Sequence, residues 1–156
     1  MNVEIVRERI ETEYRRRGDE AGWRLLSSPW KTTTRADIAF IGLNPGGSVA
    51  SLDHPELYTQ GSAYRDESWA RAPPGQSPLQ KQVLQLFACL EAQPEEVLAG
   101  NLIFRSPTAA HLKDMRGALK FGCGLWQDIL ASARPVTVVA MSGAVAEAVR
   151  KIGRVG

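Results

Sequence analysis

Residues 38–47 read IAFIGLNPGG. The apolar run Ile38 to Ile41 predicts a buried strand, and the residues after it, from Gly42 through Asn44 and Pro45 to two more glycines, predict a turn of unusual composition. Glycine lets the backbone approach a bound group closely, while Pro45 fixes one φ angle and biases Asn44 towards an extended conformation. A strand that stops in such a turn holds one amide side chain and several backbone N–H groups at the mouth of a parallel sheet. Open α/β folds bind their ligands at such mouths. The alternative is a tight strand-to-helix turn in which Asn44 only bonds its local backbone.

Outward from this strand, apolar segments alternate with helical ones. Val3, Val6, Ile10 and Tyr14 recur at spacings of three and four, which predicts an amphipathic first helix. Trp23, Leu25, Leu26 and Trp30 continue the apolar material up to KTTTRAD, a polar linker before the strand at 37–43. Residues 48–76 form a long irregular loop rich in Ser, Pro, Gly and aromatics, a length usually reserved for function inside a compact domain. Ser77, Pro78 and Gln80 make a capping box with Pro at the first helical position, and Leu79, Val83, Leu86, Phe87 and Leu90 supply the apolar face behind it. A short helix at QPEEVL leads to a second strand, GNLIFRS, ending at Pro107. The next helix, interrupted by glycines at FGCG, runs past Trp126 to Pro135, and a third strand, VTVVAMS, precedes the helix GAVAEAVRKI. This alternation predicts α/β class: three layers, with a short parallel sheet between helices. The pattern is expected to continue past GRVG into a further strand.

The 156 residues suffice for a single domain, 1–156, with residues 1–30 as an N-terminal helical segment packed on it. An apolar content of 44% against 23% charged residues excludes wholesale disorder. No window is apolar enough to span a membrane and the charged N-terminus has no signal-peptide core, so a cytoplasmic protein without a membrane partner is expected. Cys89 and Cys123 cannot build a disulfide framework or a four-thiolate cluster, and no metal or other cofactor is expected. The charge is uneven: residues 36–100 carry three basic and eight acidic groups, residues 101–156 eight basic and three acidic. In the basic part, Arg105, Lys113, Arg116 and Lys120 follow one another through a loop into a helix. They are candidates for contacts to a phosphate backbone, or else a solvated helix face.

GLNPGG after one strand, NLIFRSP after the next and RPVTVVAMSG at the third together resemble the uracil-DNA glycosylase superfamily, over roughly residues 36–152. The first motif is similar to the GINPG or GMNPG of the mismatch-specific and single-strand-selective branches. RAPPGQSPLQKQVLQLF looks like the proline-rich segment and helix that these enzymes place between the first two strands. The resemblance implies a DNA glycosylase of base excision repair that hydrolyses the N-glycosidic bond of uracil or a related damaged base, after the nucleotide is swung out of the stack. By the same resemblance Asn44 would position the water, and Gly42 and the backbone near Leu43 and Pro45 would contact the base. Asn101 would read its pyrimidine edge, and Trp69 or Tyr64 would stack on it. An Asn cannot act as a general base, so catalysis would rest on positioning and on stabilising a dissociative transition state.

The superfamily's last motif, often HPS, has no counterpart: no histidine follows His111, and fourteen residues follow Ser142. His111, after the second strand, is the available substitute; His54 lies in the long loop. The departure keeps open a non-catalytic DNA- or protein-binding member of the same fold, or a truncated chain. AMSGA at 140–144 is placed like a nucleophile elbow but lacks the histidine that would have to follow it. GLNPGG as a phosphate cradle is neither GxGxxG nor a P-loop.

Overall fold

The computed structural model describes residues 1–18, 22–45, 56–104 and 114–153. Its centre is a parallel sheet of three short strands, β1 (Ile38–Gly42), β2 (Leu98–Asn101) and β3 (Thr137–Ala140), in the order β2-β1-β3. The register sets Gly42 beside Asn101 and Ile41 beside both Gly100 and Ala140. Helices cover both faces. Ala39, Ile41 and Leu98 point into one core, with Val6 and Ile10 of α1 (Val3–Arg16), Trp126 and Ile129 of α4 (Met115–Ala133) and Val145 of α5 (Gly143–Ile152). Phe40, Val97 and Ala99 point into a second core, with Tyr64 of α2 (Ala63–Asp66) and Val83 and Phe87 of α3 (Pro78–Cys89). Strand periodicity of two therefore divides one apolar run between two packed faces.

The helix signals behave as their chemistry requires. Asn2 caps α1, accepting the Glu4 N–H at 2.8 Å. The capping box of α3 closes in both directions: Ser77 Oγ accepts the Gln80 N–H and Gln80 Oε1 accepts the Ser77 N–H. Ser142 caps α5, accepting the Val145 N–H at 3.3 Å. None of the described helices is long and apolar enough to cross a membrane.

Five expectations need correction. The N-terminal helix ends at Arg16; residues 23–28 run extended along the outer edge of β2, where Ser27 N–H donates to Ala99 O (2.8 Å) and Ser28 Oγ accepts from Ala99 N (2.9 Å). KTTTRAD is not a linker: Trp30–Thr33 is a 3₁₀ turn with Thr32 and Thr33 buried, their hydroxyls bonded back to the Pro29 and Trp30 carbonyls. QPEEVL is a turn, closed by Glu96 N–H to Gln93 O at 2.9 Å. The second strand is LAGN, so Leu102, Ile103 and Phe104 lie beyond it, buried, with the Leu102 and Ile103 N–H groups bonded to the turn that leaves β1. Finally, α4 passes through FGCG unbroken. Gly122 sits so close to the Leu102 carbonyl that a Cβ there would overlap it, and the glycine's helix cost is offset by that close approach. The outer edge of β3 has no strand partner among the described residues, and Val136 beside it is 86% exposed.

Candidate functional site

The topology makes a crevice at the C-terminal end of the sheet. From β1 the chain leaves towards α2 and α3 on one face, and from β2 and β3 it leaves towards α4 and α5 on the other. Neighbouring strands whose connections diverge open a gap between them, where α/β proteins admit ligands. Gly42, Leu43, Asn44 and Pro45 start the turn out of β1. Two carbonyls anchor it: Gly42 O accepts the Leu102 N–H (2.9 Å) and Leu43 O the Ile103 N–H (2.8 Å). Leu43, Asn44 and Pro45 are half-buried beyond that anchor.

Asn101 is the last residue of β2, directly opposite Gly42. Its backbone is locked, since its carbonyl accepts the Trp126 indole N–H at 2.8 Å. Its side chain lies over Gly42 so closely that a Cβ on Gly42 would collide with Oδ1. The residue is 9% exposed, yet among the described residues nothing hydrogen-bonds its side-chain amide. A carboxamide so nearly enclosed ordinarily has its polar atoms satisfied. Met141, just past β3, brings its sulfur to the same place, 3.4 Å from where a Gly42 Cβ would be. The ends of all three strands thus meet at Asn101, on the face that carries α2 and α3.

An aromatic series runs along that face. Phe40, two residues before Gly42, meets Tyr64 edge-on at 5.6 Å and Phe87 at 5.3 Å, and Tyr64 meets Trp69 at 5.2 Å. Tyr64 is 4% exposed and belongs to the core, with burial pushing its phenol well above the ordinary tyrosine value. It offers no open ring face, whereas Trp69, the other stacking candidate, is half-buried. Around Trp69 lies a cluster that the sequence did not announce. Arg24 donates to Glu67 through both terminal nitrogens (3.0 and 2.7 Å), Tyr58 Oη–H donates to Glu67 Oε1 (3.1 Å) and Trp69 Nε1–H to Oε2 (2.7 Å). Burial first, and then the neighbouring Glu67 carboxylate, hold the Tyr58 phenol protonated far above its ordinary range. The available sign was an arginine inside the apolar run Trp23–Leu26.

Of the basic candidates, Arg116 and Lys120 are exposed on the first two turns of α4, whose N-terminus follows β2 at the crevice end of the sheet. Arg105 and Lys113 lie outside the described residues, as do His54, His111 and the glycines after Pro45. Cys89 is exposed on α3 and Cys123 half-buried on α4, where burial raises its thiol pKa. Among the described residues no three His, Cys, Asp or Glu side chains come together in a metal-binding group. Comparison with family models, with curated proteins and with solved structures finds no match for this chain.

Proposed function

We propose that the chain is a DNA glycosylase with a uracil-DNA glycosylase-like three-layer fold, acting on uracil or a related damaged base in DNA. The observation that carries this reading is Asn101: a locked backbone, a nine-tenths buried residue and a side-chain amide that nothing among the described residues hydrogen-bonds, at the meeting point of three strand ends. A carboxamide presents one acceptor and two donor hydrogens, the set that matches the N3–H and a carbonyl of a pyrimidine edge. An amide on a residue so little exposed reads that edge with less competition from water than one at the open surface. Asn44, two residues beyond Gly42 in the turn out of β1, orients the attacking water. Because an amide takes no proton, bond breaking runs ahead of water attack, and the site acts by holding the leaving base and the water in line.

The test is base release from single-stranded and G:U duplex oligonucleotides, read by alkaline strand cleavage, with Asn44→Ala and Asn101→Ala alongside. Release by the parent chain, lowered about a hundredfold or more in each variant, is the expected result; removal of one such group costs that much in comparable sites. A folded parent chain that binds these oligonucleotides without releasing a base is a binding module, and the enzyme reading is then discarded.

A further inference from the structure

We propose that Glu67 is a positioning residue that fixes the Trp69 indole as the platform on which the extruded base stacks; this rests on the glycosylase reading of the site. The observations are independent of Asn101. Glu67 is a buried carboxylate that gathers donors from three separate segments, Arg24, Tyr58 and Trp69. Its backbone carbonyl is held as well, by Gln80 Nε2 from the capping box of α3 at 2.7 Å. The segment after Trp69 is strained: Ala70 and Arg71 have successive φ values of 52° and 64°, which non-glycine residues adopt only when their surroundings impose it. Such a loop end is held in one conformation by Glu67 and by its anchor to the helix.

The position suits the role. Arg24 N–H donates to Phe104 O at 2.6 Å, so the cluster lies past the C-terminal end of β2. Trp69 joins Asn101's face of the sheet through Tyr64 and Phe40. The Tyr64 contact is edge-on, at 70° between planes, and takes at most one of the two indole faces. The hydrogen bond to Glu67 uses the only polar atom of the indole, so what remains is an apolar surface suited to a flat heteroaromatic ring.

The experiment uses full-length protein labelled with 5-fluorotryptophan. The Trp69 ¹⁹F resonance is assigned by its loss in Trp69→Phe, a variant that leaves the Arg24–Glu67 pair in place. In the parent chain this resonance should be single, and should move on titration with a deoxyuridine-containing single strand but not with the same strand carrying a tetrahydrofuran abasic residue. Glu67→Gln should broaden or split the resonance before any DNA is added. Both Trp69→Phe and Glu67→Gln should raise KM about tenfold while kcat stays within a few-fold. A parent enzyme that releases base with a Trp69 resonance indifferent to the deoxyuridine strand overturns the inference and leaves the function standing. So does a Glu67→Gln resonance as sharp as the parent's, or an unchanged KM in Trp69→Phe. A chain without base release whose Trp69 still responds to deoxyuridine keeps the stacking role and loses the enzyme; without either response, both fall.

Discussion

At the scale of single residues, Gly42 and Asn101 act as one unit. The glycine is required by space, because its missing Cβ is the volume the Asn101 side chain occupies. Gly42→Ala should therefore behave as an Asn101 variant: base release falls as far as in Asn101→Ala, while urea denaturation shows a loss of about 1–3 kcal/mol, the usual cost of forcing extra volume into a packed site. An alanine variant with normal base release would place the reacting base elsewhere. The indole of Trp126 reinforces the pair from below, by holding the Asn101 carbonyl from the opposite core. Asn101 is thus fixed by its backbone while nothing among the described residues hydrogen-bonds its side chain, the arrangement that the proposed reading role requires.

At the scale of elements, α1 is tied to α4 by charge as well as by Val6 and Ile10. Glu13 accepts from Arg16 and from Arg17 Nε (2.6 Å), and nearly buried Arg17 also donates to Asp114, the cap of α4, at 2.6 Å. The Arg16 hydrogen bond, against the opposing effect of partial burial and with the help of Arg17, holds the Glu13 carboxyl below its ordinary value. A depressed carboxylate stabilises the fold fully above the unfolded-state pKa, about 4.3, and loses that contribution as the pH falls through the folded-state value. Glu13→Gln should thus lower Tm at pH 7 and narrow its difference from the parent protein below about pH 4, as followed by thermal melts across that range. A Tm difference independent of pH would assign Glu13 a packing role alone. Local signals of this kind were readable in the sequence: α5 runs from Gly143 to Ile152 over the whole of the predicted helix GAVAEAVRKI, and the capping box of α3 is complete. What was not readable depends on contacts between distant residues. The run NLIF looked like strand because Leu102 to Phe104 are apolar, but their burial comes from packing. FGCG looked like a break because its reason, the Leu102 carbonyl against Gly122, is twenty residues away. Asn44 and Asn101 became candidates through motif order, whereas Glu67 and Arg24, 43 residues apart, had no local pattern to reveal their pairing.

At the scale of the whole molecule, the proposed substrate is a polyanion and the charge is distributed accordingly. The net charge of +2 conceals a basic C-terminal part and an acidic middle. Within the middle, Glu67 is neutralised by Arg24, and Asp66 is held below its ordinary value: burial raises it, but hydrogen bonds from Arg65 and the Ser62 N–H prevail. These two carboxylates are therefore already committed to internal partners and repel an incoming phosphate less than their charge suggests. Exposed Arg116 and Lys120, on the first two turns of α4 at the crevice end of the sheet, have the opposite character. Each phosphate they neutralise on a single strand should contribute about 0.7 to the slope of log affinity against log salt. The double variant Arg116→Ala/Lys120→Ala should lower that slope by about 1.4, with the same weakening for uracil-containing and normal strands, because phosphate contacts carry no base information. Fluorescence anisotropy at several salt concentrations measures both quantities. A slope unchanged by the double variant would move the phosphate track off α4, and a loss confined to uracil-containing strands would place these two side chains at the base itself.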